Sequence, residues 1–72
     1  MKKEEFQKKL GEHIADLRKQ KNLTQTDFGY LLDKDRQTIN RIEKGRTNIT
    51  SYMLRLIAEA LEIPQWKMID FE

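Results

Sequence analysis

Between Leu23 and Arg46 the chain reads LTQTDFGYLLDKDRQTINRIEKGR, and this stretch limits what the remainder can build. It carries two helix starts separated by a short polar break. Thr24, followed three residues later by Asp27, has the form of a capping box with Asp in place of the usual Glu or Gln. Its hydroxyl can accept from a first-turn backbone N–H that otherwise has no partner. Leu23 and Phe28 flank that cap at the spacing of a hydrophobic staple, which fixes how the chain enters the helix. Phe28, Leu31 and Leu32 recur at i, i+3 and i+4, so they are expected to form the buried face. The break falls at Asp33-Lys34. Asp35 then opens the second helix, because its carboxylate caps orphan N–H groups and suits the positive helix end.

That second helix, Arg36 to about Lys44, has only two apolar residues, Ile39 and Ile42, enough for a narrow stripe against a core. Arg36, Gln37, Asn40 and Arg41 fall largely on the other side. A polar helix face is most often simply solvated. Here, however, a capped helix precedes it across a turn of three to four residues, the arrangement of a helix-turn-helix unit. Arg, Gln and Asn are also the side chains whose paired donors and acceptors match base edges in the major groove, Arg to guanine and Gln or Asn to adenine. The pattern points to a face that reads DNA.

The segments Ile14-Ala15-Asp16-Leu17-Arg18, Leu23-Thr24-Gln25, Thr38-Ile39-Asn40-Arg41-Ile42-Glu43-Lys44-Gly45 and Leu56-Ile57-Ala58-Glu59-Ala60-Leu61 extend the pattern. Together they resemble the phage-repressor type of helix-turn-helix domain, the Xre/Cro-like family, over about residues 8 to 70. The resemblance implies an all-α, five-helix, lambda-repressor-like fold with the helix-turn-helix at helices two and three, about residues 24–44. It implies base reading by Arg36, Gln37, Asn40 and Arg41, each good bidentate contact contributing about 1–3 kcal/mol of discrimination. It places Gln25 at a phosphate, where it also supports a recognition-helix side chain, and helix N-termini suit phosphates because their free N–H groups point outward. Thr38 and Lys44 are implied at the DNA backbone. Arg18 and Glu43 match positions that pair with each other and brace helix one, so Arg18 reads as structural.

Three positions depart from the family pattern. Gly29 stands where a small residue, usually Ala, packs between the two helices; Gly should fit while weakening the helix by roughly 1 kcal/mol. Asp33 replaces the usual turn glycine, and Asp tolerates the left-handed conformation better than most residues. Lys34 replaces a buried aliphatic residue, so its stem is expected to cover the site while its ammonium stays wet. Asp33 and Asp35 also set negative charge beside the face expected to meet DNA.

Seventy-two residues allow one small domain, 1–72, with a limited core that a partner subunit would supplement. Cysteine is absent, so disulfides and thiol ligands are excluded. No apolar run approaches the ~20 residues of a membrane span, and the Lys-rich start lacks a signal peptide's apolar region. A cytoplasmic location is the expectation. Net charge is only +2, but residues 1–46 hold twelve basic and eight acidic side chains, while residues 47–72 hold two and four. A basic front and an acidic rear suit a domain that offers one face to phosphates, although ordinary charge scatter gives the same count.

Helix one is expected from about Glu4 to Lys21, with Phe6, Leu10, Ile14 and Leu17 on one face. Its early acids and late bases match the helix dipole, and Asn22 suits a left-handed helix end. Lys2 and Lys3 read as a solvated tail. His13 is the sole histidine; no metal cluster, catalytic dyad or other enzyme signature accompanies it, so it reads as a surface residue. Gly45 should end the recognition helix. Arg46, Thr47 and Asn48 then supply a cation, a hydroxyl and an amide, groups that hold a DNA backbone without reading sequence. Thr50 caps helix four, with Ile49 and Leu54 as a further staple, and Leu54, Ile57, Ala58 and Leu61 should close the core. Pro64 is expected at the first position of a short fifth helix.

Some of Trp66, Ile69 and Phe71 must complete the core, but with Tyr52 they are more than so small a domain can bury alone, and exposed aromatics mark interfaces. In similar repressors the last helices form the dimer contact, which predicts an isologous homodimer through about residues 52–72. Its dyad would present two recognition helices to half-sites roughly 34–36 Å apart. The leading expectation is a sequence-specific transcriptional regulator of double-stranded DNA, mainly a repressor, without cofactor, small-molecule ligand or ligand-sensing domain. The Asp-Arg opening of the recognition helix and Asn48-Ile49-Thr50 also resemble restriction–modification controller proteins, which activate as well as repress. The competing reading is an antitoxin-like or adaptor module that binds a protein partner with the same fold.

Overall fold

The structure, a computed structural model, describes residues 1–71. Its elements are α1 (Lys3–Gln20), α2 (Gln25–Leu32), α3 (Arg36–Glu43), α4 (Ser51–Leu61) and a closing 3₁₀ helix, Gln65–Ile69. No strand occurs among the described residues, in keeping with the all-α expectation. None of the helices is long and apolar enough to cross a membrane.

Caps explain why the helices start and stop where they do. Thr24 and Asp27 form the reciprocal capping box, each bonding the other's backbone N–H at 3.0 Å. Asp35 Oδ1 accepts from Thr38 N at 2.7 Å, and Thr50 Oγ1 accepts from Met53 N at 3.1 Å. The chain leaves α1, α2 and α4 through left-handed residues at Asn22, Asp33 and Glu62, and leaves α3 through Gly45. Such residues let the last carbonyls of a helix find donors in the following turn.

One apolar cluster joins all five elements. Leu10, Ile14 and Leu17 come from α1, Phe28 from α2, Ile39 and Ile42 from α3, and Ile57, Ala58 and Leu61 from α4. Met68 of the 3₁₀ helix completes it and is fully buried.

The structure corrects several expectations. The fifth element is a 3₁₀ rather than an α-helix, and Pro64 precedes it in an extended conformation instead of opening it. The segment is too short to gain from i→i+4 bonding, so it closes by i→i+3 bonds, with Pro64 O accepting from Lys67 N at 3.1 Å. That tight turn delivers Met68 to the core and leaves Trp66 and Ile69 outside. Leu31 is 52% exposed, not on the buried face. The buried stripe of α2 centres on Phe28, Gly29 and Leu32, and Leu31 falls off its edge. Phe6 is also exposed rather than buried in the core, and the Phe71 ring lies 5.6 Å from it between centroids. Lys34 is exposed, not a buried substitute for an aliphatic residue.

Gly29 is required, not merely tolerated. A Cβ at Gly29 would lie 2.5 Å from Lys34 O, because the left-handed turn at Asp33 folds the chain back over α2. Gly11, unremarked in the sequence, has the same role in α1: its Cβ would lie 2.5 Å from Ile42 O and 2.6 Å from Glu43 O. Backbones that approach this closely fix the relative height of α1, α2 and α3.

Candidate nucleic-acid interface

Three residues, Asp33 to Asp35, carry the chain from α2 into α3. Lys34 N donates to Gly29 O at 2.8 Å, so the turn is tied to the helix it leaves. α3 is then anchored from behind by Ile39 and Ile42, both with no exposed surface. The opposite face presents Arg36, Gln37 and Arg41 to solvent, with Thr38 and Asn40 half-buried. All four residues expected to read bases therefore lie on or beside one outward surface.

A buried network fixes this surface to α1. Arg18 Nε donates to Glu43 Oε2 at 2.6 Å and Arg18 Nη2 to Glu43 Oε1 at 3.1 Å, a two-pronged pair with both residues 8% exposed. Arg18 Nη1 donates to Leu23 O at 2.7 Å, which ties the α1–α2 loop into the same fork. Bidentate geometry of this kind suits guanidinium and carboxylate, and each charge is compensated in a site with little access to water. Gln25 Nε2 extends the network, donating to Glu43 Oε1 at 3.0 Å and to Asn40 Oδ1 at 3.2 Å. Asn40 is thereby held with its carbonyl toward α2.

Apart from Thr38, the residues expected at a DNA backbone lie at the start of α2 and just after α3. Gln25 stands at the first position of α2, and Lys44, Arg46 and Thr47 follow α3, with Lys44 and Arg46 exposed and Thr47 half-buried. Arg46 N donates to Arg41 O at 2.9 Å, so the loop begins in a fixed orientation. Hydrogen bonds from Thr38, side chain first and backbone second, hold the Asp35 carboxyl below the usual carboxylate range. The Asp27 carboxyl is lowered likewise by the backbone and side chain of Thr24. Both acids stay ionised at neutral pH and are engaged with helix N-termini, which are positive ends.

The residues expected at a subunit contact separate into two groups. Tyr52, Trp66 and Ile69 are 67%, 64% and 54% exposed. Phe71 differs: it is half-buried, with its ring 5.6 Å from Phe6 and 5.3 Å from His13. His13 Nε2 also lies 2.7 Å from Lys67 O, so α1 holds the C-terminal segment in place. Two further contacts have no signal in the sequence, because each joins distant segments through a single bond or a missing side chain. They are the Gln7–Asn48 hydrogen bond and the approach of Gly11 to the end of α3.

Solved structures similar to this one include C.AhdI, a restriction-modification controller protein from Aeromonas hydrophila. It is 25% identical, with a TM-score of 0.87 over 94% of this chain and 99% of that chain. The clp gene regulator ClgR from C. glutamicum is 19% identical, with a TM-score of 0.85 over 89% of this chain and 82% of that one. A transcriptional regulator of the HTH_3 family from Vibrio cholerae is 22% identical, with a TM-score of 0.84 over 93% of this chain but only 38% of its own. At these lower identities the last two establish the shared fold alone. A comparison with curated proteins gives no match. Residues 14–64 match the sequence profile of the helix-turn-helix family HTH_3, and with most of its length inside that span the protein belongs to that family.

Proposed function

We propose that this protein is a sequence-specific DNA-binding transcriptional regulator that works as a homodimer, chiefly as a repressor occupying a palindromic operator. The family and the shared fold are those of DNA-binding regulators. The observation that carries the finer reading is the division of α3: two apolar residues locked in the core, and a solvent face of Arg36, Gln37 and Arg41 bordered by Asn40. Such a helix can enter a major groove and present bidentate donors and acceptors to base edges. Gln25, Thr38, Lys44, Arg46 and Thr47 would meet phosphates on either side and set the depth of entry. Tyr52, Trp66 and Ile69 would meet their equivalents across a dyad and place a second α3 one helical turn away.

Phosphate-led binding releases counterions, so affinity for promoter DNA should fall steeply between 50 and 200 mM salt, by about a decade or more. Titration of the protein into labelled DNA across that range tests this. An affinity indifferent to salt would contradict it. A second reading has its own observation: C.AhdI is a restriction-modification controller and is matched over almost its whole length. A controller activates at one operator occupancy and represses at another. Transcription from the bound promoter would then rise and fall as protein concentration increases, whereas a simple repressor gives only a fall.

A further inference from the structure

The first two turns of α1 lie against the loop that follows α3, and three contacts hold them there. Gly45 has φ +73°, and a Cβ on it would sit 2.6 Å from Lys8 Cα and 2.9 Å from Gln7 O, so the loop touches the α1 backbone directly. Gln7 Nε2 donates to Asn48 Oδ1 at 3.2 Å, across 41 residues of sequence. Gly11, one turn on, is pressed against the carbonyls that end α3. The loop between Gly45 and Asn48 is therefore braced by α1 and does not hang free.

The direction of the Gln7 bond has a chemical consequence. An amide side chain offers one acceptor end and one donor end. With its carbonyl occupied by Gln7, Asn48 is oriented so that its NH₂ group remains available. Phosphate oxygens only accept, so an amide held in this sense offers them a donor, whereas a flipped one offers an acceptor. Arg46 and Thr47 sit in the same loop, and Lys8 and Lys44, next in sequence to Gln7 and Gly45, are exposed.

We infer that Gln7 is a positioning residue for DNA binding: it fixes the amide of Asn48 as a phosphate donor and so makes the start of α1 part of the interface. The inference rests on the DNA-binding reading given above. Neither side chain is charged, so the contact adds affinity without counterion release.

Operator affinity tests it, measured for the native protein, Gln7→Ala, Asn48→Ala and the double variant, each across the same salt series. Asn48→Ala should weaken binding roughly tenfold, as loss of one hydrogen bond to a charged acceptor does. Gln7→Ala should lose several-fold, and the double variant should bind like Asn48→Ala alone, since Gln7 acts only through Asn48. The slope of affinity against salt should be the same in all four. In the operator complex, the Asn48 side-chain NH₂ protons should be shifted and protected in NMR spectra of the native protein and not of Gln7→Ala. Native affinity in either single variant, additive losses in the double, or an unshifted Asn48 amide in the native complex would overturn the inference and leave the DNA reading intact. No binding by the native protein would instead remove the DNA reading, and this inference with it.

Discussion

Arg18 donates through three nitrogens to two chain segments: the Glu43 carboxylate and the Leu23 carbonyl. Arg18→Ala would leave the Glu43 charge buried without its partner, at a cost of about 3–5 kcal/mol in urea denaturation. Arg18→Lys should recover only part of this, because one ammonium cannot replace a planar fork. A loss of under about 1 kcal/mol for the Ala variant would show that the pair is not holding α1 to α3. Gly29→Ala tests the same scale with an opposite intuition. Helix propensity alone predicts a gain of roughly 1 kcal/mol, whereas the Lys34 carbonyl 2.5 Å from the new Cβ predicts a loss of about 1–3 kcal/mol. Thermal melting of this variant decides between them by sign. Residue identities in the turn were legible because caps and left-handed positions favour few residue types. The need for glycine at 29 and at 11 was not, since it arises from a carbonyl brought close only by the folded chain.

At the scale of elements, the helix starts followed from local chemistry. Thr24, Asp35 and Thr50 each stand one residue before a helix and accept from its first turn, so their effect needs no tertiary context. Two of these starts depend on carboxylates. Asp27 and Asp35 have folded-state pKa values lowered by their bonds to Thr24 and Thr38. Their contribution is complete above the ordinary carboxylate pKa and is lost as pH falls through that value toward the lowered one. Melting temperature should therefore decline on acidification below about pH 4. Asp35→Asn, which still caps but does not titrate, should flatten the decline, and an unchanged acid profile in that variant would count against the cap. Other element features were hidden. The sequence around Pro64 reads as a helix start, yet the segment is too short for α-helical bonding and Met68, not Trp66, reaches the core. Leu31 has helical spacing with Phe28, but spacing does not say where the centre of a stripe lies.

For the whole molecule, the remaining apolar surface matters most. Tyr52, Trp66 and Ile69 stay exposed although the core is complete without them. Changing Trp66 and Ile69 together to Ala should convert a dimer to a monomer in sedimentation velocity at micromolar concentration, with little change in helix content by circular dichroism. A native protein that is already monomeric at that concentration would contradict the dimer proposal. The exposure of these residues was visible in sequence as a surplus of aromatic and aliphatic side chains. That Phe71 instead packs on Phe6 and His13 was not visible, since both partners lie at the opposite end of the chain.

DNA recognition rests on whether the outward face of α3 reads base sequence. Selection of binding sites from random DNA, run beside a variant with Arg36, Gln37, Asn40 and Arg41 all changed to Ala, tests it most directly. The native protein should recover a two-fold symmetric site that the variant does not. No enriched site, or equal enrichment by both proteins, would contradict it.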